Sequence, residues 1–172
     1  MKRSKATLLT VVFIIVVPGV VVGLVPWLIS GWQIAPARWD PAALRVAGVL
    51  LLCTGVAAAL DAMRRFAWEG LGTPAPPLPP ESLVVTGLYR YVRNPMYVSI
   101  LLILIGQGLL FASPGLFVYA GCAWLATHLF VCFYEEPRLR RTFGAQYTDY
   151  CAHVRRWIPR LTPWHAKQPA AQ

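Results

Sequence analysis

Hydrophobic and polar positions separate on the scale of whole helices. Ala6 to Ile29 runs 24 residues without a charge, long enough for an α-helix to cross about 30 Å of hydrocarbon. Leu44 to Leu60 carries one charge, Arg45, near its start, where a long side chain snorkels to the interface. Met96 to Phe111 is uncharged, with Ser99 and Gln107 in its body, and Pro114 to Tyr134 is uncharged and contains His128. The four runs predict spans at about 6–29, 44–60, 96–111 and 114–134. Only "ASP" and a glycine join the last two, which predicts a helical hairpin. The first run is too long for a signal-peptide core of 7 to 15 residues, so it reads as a transmembrane helix with Pro18 and Pro26 as kink points.

Cationic residues orient these helices. Lys and Arg number 3 before the first run, 1 in the first connection, 4 in the second, none in the third and 7 in the tail. That alternation places both termini and the second connection on the cytoplasmic side. Composition agrees: 57% of the 172 residues are hydrophobic and 13% charged, against about 25% charged in soluble domains. The formal net charge of +9 then indicates an anionic membrane surface rather than nucleic acid, because a soluble basic face does not go with such apolar runs. Cys53, Cys122, Cys132 and Cys151 show no CxxC spacing and no paired histidines, so no metal site is predicted. The chain reads as a single-domain, all-α integral membrane protein of about four transmembrane helices with a cytoplasmic C-terminal amphipathic helix.

The candidate chemistry is cytoplasmic. "WEGLGTPAPPLPP" from Trp68 to Pro80 predicts an extended, partly polyproline segment. In the tail, Leu139, Phe143, Tyr147, Tyr150 and Val154 share one stripe of a helical wheel, predicting a helix resting on the membrane or on the protein's own face. The tail arginines read mostly as its solvated basic side. Glu135 and Glu136 close the fourth run just before Pro137. Adjacent acids losing hydration require a cation for at least one of them, with Arg90, Arg93 and Arg140 as candidates. Trp124, His128 and Cys132 fall on the Glu135 face of that helix at i−11, i−7 and i−3. Gln107 is a candidate partner for His128.

"GLYRYVRNPMY" at 87 to 97, an apolar hairpin, and "EEPRLRRTFGAQYTDYCAHVRRWIP" together resemble the membrane methyltransferases that include isoprenylcysteine carboxyl methyltransferase and the phospholipid methyltransferases. The resemblance runs from about Thr73 to Pro159. It implies S-adenosyl-L-methionine as cofactor, held at a cytoplasmic region made of 73–97 and 135–160, and a lipophilic or lipid acceptor entering from the bilayer. It implies a multi-pass protein among membrane lipids, here of a bacterial inner membrane. By position it implies cofactor-binding roles for Ser82, Leu83, Val84, Tyr89, Asn94, Pro95, Met96, Tyr97 and Glu135. Asn94 stands where the eukaryotic enzymes carry histidine, and Val131 stands where the carboxyl methyltransferases carry a substrate-binding arginine. The second departure favours a neutral nucleophile, an amine, thiol or phenol, with His128 or Glu136 as candidate catalytic base. Two other readings stay open: a sterol-reductase-like enzyme using NADPH, though no Gly-rich dinucleotide fingerprint is present, and a non-catalytic membrane scaffold.

Overall fold

In the computed structural model, residues 16, 18–34, 41–69 and 82–165 are described. Most of the first run before Pro18, the segment 70–81 and residues 166–172 lie outside them, and with these both termini and most of the proline-rich stretch. The described residues form five α-helices and no strand: α1 Val25–Ser30, α2 Pro41–Glu69, α3 Pro95–Leu110, α4 Pro114–Phe130 and α5 Glu136–His153. A π turn, Val20–Leu24, leads into α1, a second, Val131–Glu135, joins α4 to α5, and a 3₁₀ turn, Gly87–Arg90, precedes α3. Each of these five α-helices has proline at its first or second position; at Pro95 and Pro114, where a loop precedes the helix, the missing N–H costs nothing and the fixed φ suits the first turn.

Two helices among the described residues are long and apolar enough to cross a membrane, Ala42–Arg65 and Pro114–His153. Two shorter apolar helices, Val20–Ser30 and Pro95–Leu110, accompany them. Large apolar side chains face outward on these elements, among them Leu28, Leu50, Leu60, Val118 and Leu125. A water-soluble monomer does not expose so much apolar surface.

Two helices extend past the apolar runs that begin them. Helix α2 continues beyond Leu60, where the second run ends, to Glu69. Asp61 supports the extension through ion pairs to Arg65 at 2.9 Å and Arg64 at 3.4 Å, at i,i+4 and i,i+3. The end of the fourth run at Tyr134 likewise does not end the helix: α4 passes through the π turn into α5 without a loop at Pro137, and the helical backbone is broken at Gly144, whose φ is +49° and ψ −120°. The π turn absorbs the proline by bonding the Glu136 N–H back to the Val131 carbonyl.

Pro26 shows how a proline fits inside apolar helix. It lacks the N–H that the carbonyls of Val22, in α spacing, and Val21, in π spacing, would accept. Side chains from neighbouring helices replace it: Gln107 Nε2 donates to Val22 O at 2.7 Å and Tyr119 Oη donates to Val21 O at 3.0 Å. In hydrocarbon such carbonyls have no water to turn to. Gln107 is therefore committed to the first helix and is not the partner of His128.

Helices α2 and α3 pack backbone to backbone. A Cβ on Gly106 would stand 2.8 Å from Gly48 O and 2.9 Å from Leu52 N, and one on Gly55 would stand 2.9 Å from Ser99 O. Small residues permit this approach, the usual device where helices gain no hydrophobic drive from separating out of lipid. We expect Gly106→Val to lower stability by roughly 3 kcal/mol, the upper range for overpacking, because backbone cannot step aside. Gly121→Val, whose Cβ meets nothing within 4 Å, is the control in a detergent melting series.

Candidate active site

The site forms where the 3₁₀ turn, the start of α3 and the end of α4 meet. Gly87 opens the 3₁₀ turn at φ +51°, and a Cβ there would run into the Arg65 guanidinium, so both conformation and space require glycine. Arg65 bonds Asp61 on its own helix and reaches Thr86 Oγ1 at 3.3 Å, pinning the loop to α2. Tyr89 is then buried with Val84 against Ala62, and Met96 packs on that cluster. The Tyr89 carbonyl accepts from Tyr150 Oη at 2.6 Å, tying the turn to α5.

The stripe residues on α5 meet here. Tyr147, Tyr150 and Val154 are buried together, and Leu139, Phe143, Leu83, Val85 and Trp164 pack against them. The α5 stripe thus rests on the protein's own loop. Ser82 is exposed and Pro95 buried.

Tyr97 and Glu135 come together as a hydrogen-bonded pair, Tyr97 Oη donating to Glu135 Oε2 at 3.0 Å. Tyr97 projects from the first turn of α3 and Glu135 ends the π turn. Among the described residues no arginine, lysine or histidine forms an ion pair with Glu135. Glu135 lies just beyond the apolar run that ends at Tyr134, and burial raises its carboxyl above the ordinary value of 4.5. The Tyr97 hydrogen bond opposes that rise and the Glu136 charge adds to it.

Glu136 is the opposite case. Its carboxylate, 8% exposed, accepts from Arg156 Nε at 2.6 Å and Nη2 at 2.9 Å, and Arg93 Nη1 stands 3.4 Å away. Burial works to raise its proton affinity, but the bidentate Arg156 bond and the charges of Arg93, Arg156 and Arg140 outweigh it and hold the carboxyl below the ordinary value. Sequence reasoning names Arg93 as a candidate partner and misses Arg156, because it assigns the tail arginines to a solvated face. The available signal is the place of Arg156 just beyond the end of the tail stripe.

Asn94 and His128 are engaged elsewhere. Asn94 Nδ2 donates to Arg156 O at 3.2 Å. His128 Nδ1 accepts from Trp157 Nε1 at 3.0 Å, Cys132 Sγ lies 3.6 Å from Nε2, and Trp124 stacks on the ring at 5.2 Å. Trp124, His128 and Cys132 do share a face. Glu135 leaves it, because a π turn adds one residue and rotates the succeeding side chains by roughly 100°. Residues 155–164 return along the 3₁₀ turn as a strap: Arg93 N bonds Arg155 O at 2.9 Å, Arg160 N bonds Tyr91 O at 2.9 Å and Trp164 N bonds Arg90 O at 3.0 Å.

Comparison with known families finds one described as phospholipid methyltransferase, whose model matches residues 44–146. The match takes in Asp61, Tyr89, Tyr97, Glu135 and Glu136 and ends before the strap. No curated protein and no solved structure matches the chain.

Proposed function

The chain belongs to the phospholipid methyltransferase family, a membrane-associated family that methylates lipid-related substrates, and from that premise we propose that it transfers a methyl group from S-adenosyl-L-methionine to a neutral, lipid-soluble amine. The observation that carries this reading is the contrast between the adjacent acids. Glu136 takes both arginines, whereas Glu135, half-buried beside a tyrosine, has no cation of its own among the described residues. Such a carboxylate is matched to a ligand that brings positive charge. The donor set fits the cofactor's amino-acid end: Glu135 for the α-ammonium, the orphan N–H groups at the start of α3 for the carboxylate, and the faces of Tyr89 and Tyr97 for the sulfonium or adenine. The backbone of Ser82, Leu83 and Val84 and the Asn94-Pro95-Met96 turn form the remaining wall. Asn94 holds that wall through Arg156 O rather than through the ligand.

When bound, the cofactor supplies an electrophilic methyl on sulfur; the protein's own task is to align an acceptor behind that methyl and keep water out. A new bond forms from acceptor to methyl as the sulfur–methyl bond breaks, and no enzyme intermediate is needed. His128 spends its Nδ1 lone pair on Trp157, and the arginines around Glu136 lower its proton affinity, so neither stands ready as a base. An amine, which attacks with a lone pair in hand and loses its proton afterwards, suits this arrangement better than a phenol. Val131, fully buried, leaves no arginine for an anionic acceptor at that turn. In this reading the protein is multi-pass, with the site at the cytoplasmic boundary.

Calorimetry with S-adenosylhomocysteine, and NADPH as comparison, tests the cofactor: binding of the first alone is expected, and binding of NADPH alone would hand the site to the reductase reading. The pH dependence carries a sign. The ammonium requires ionised Glu135, whose carboxyl sits above 4.5, so affinity rises with pH through that raised range and falls up to about tenfold per pH unit below it. Glu135→Gln flattens the profile.

A further inference from the structure

We propose that the tip of the strap, Trp157 to Pro159, is inserted into the lipid bilayer, with Ile158 at the acyl–headgroup boundary and the exposed Arg155 held by anionic headgroups. The strap is tied at both ends to the 3₁₀ region, Arg155 O to Arg93 N and Arg160 N to Tyr91 O, each at 2.9 Å. The residues between these ties reach along α4. Trp157 Nε1 donates to His128 Nδ1 at 3.0 Å, with the rings 5.9 Å apart. His128 lies seven residues before Glu135, about 10 Å along the helix into its apolar run. At that level α4 exposes Trp124, Leu125, Leu129 and Phe130, the side chains of a lipid-facing helix surface.

Beside Trp157, Ile158 is 62% exposed. A β-branched apolar residue turned outward, flanked by tryptophan and by arginines on either side, has the composition of an interfacial anchor. The overall charge of +9 is complementary to an anionic leaflet. The strap also carries Arg156, which holds Glu136, the neighbour of Glu135. Lipid contact at Ile158 and the order of the candidate site are thus linked through one residue pair. The proposal rests on α4 being a membrane span.

Photocrosslinking of the full chain in vesicles containing phosphatidylglycerol separates the two. p-Benzoylphenylalanine is placed singly at Ile158, at Phe133, which is 78% exposed on the helix between α4 and α5, and at Thr142, exposed on α5. Lipid adducts are expected at Ile158 and Phe133, each at least about tenfold above Thr142, as for side chains in hydrocarbon against one in water. Adducts at Phe133 with none at Ile158 would overturn the inserted strap and leave the span standing. Absence at both would overturn the span and the strap together.

Discussion

Glu135→Gln is expected to weaken S-adenosylhomocysteine binding by about 10- to 100-fold, the worth of one charge-assisted hydrogen bond of roughly 1.5–3 kcal/mol, while the protein melts no lower than the parent. The two halves follow from one observation. Glu135 is a half-buried acid whose proton affinity is raised by loss of hydration, so its ionised form is a liability to the empty fold. Its hydrogen bond with Tyr97 at 3.0 Å is one the amide oxygen can still accept. Removing the charge therefore relieves the fold and damages the ligand site. Calorimetry and a melting curve on the same sample decide it. Unchanged affinity in a folded variant would remove Glu135 from the cofactor site.

Glu136→Ala behaves in the reverse way, costing about 3–5 kcal/mol of stability, the range for stranding one partner of a buried ion pair. The loss leaves Arg93, 11% exposed, without its anion and frees Arg156 from its bidentate bond. The strap keeps its Trp157 bond to His128 but loses its ion-pair tie, so any fall in cofactor affinity is expected to follow from lost stability rather than from a lost contact. Unfolding in denaturant, with Arg156→Ala and the double variant completing a cycle, measures the coupling. A coupling below about 0.5 kcal/mol would show the pair to be incidental. The pH dependence has its own direction. The folded carboxyl sits below its ordinary 4.5, so its contribution is fully present above that value and is lost as pH falls toward the depressed folded value.

The two glutamates show where sequence reading reaches its limit. Their position at the end of an apolar run, and the requirement that one acid take a cation, follow from local order and from desolvation. Which acid takes it does not. Consecutive helical residues point roughly 100° apart, so Glu135 meets α3 and Glu136 meets the strap, and only packing says which of these carries an arginine. The π turn adds to the difficulty: a 3.6-residue count places His128 on the Glu135 face, and one inserted residue moves Glu135 off it.

Glycines in the second and third runs carry no sequence signal of the same kind. Gly48, Gly55 and Gly106 read as ordinary residues of apolar helices, and their use as a close-approach seam appears only when α2 and α3 are laid together. Gln107 invites pairing with His128 because both are polar groups in apolar runs. The carbonyls orphaned by Pro26 are the stronger demand, and they lie on a helix whose neighbours the sequence does not specify.

By itself the sequence determined what depends on neighbours along the chain: the apolar runs and their connection, the Tyr97 and Glu135 motif positions, and the stripe from Leu139 to Val154. These follow from helical periodicity and from the cost of charge in hydrocarbon, both short-range properties. The tertiary structure alone decided the pairings, Tyr97 with Glu135, Arg156 with Glu136, Trp157 with His128 and Gln107 with Val22. The partners lie 20 to 85 residues apart. A hydrogen bond or an ion pair depends on distance in space, and that distance is set only when the helices pack.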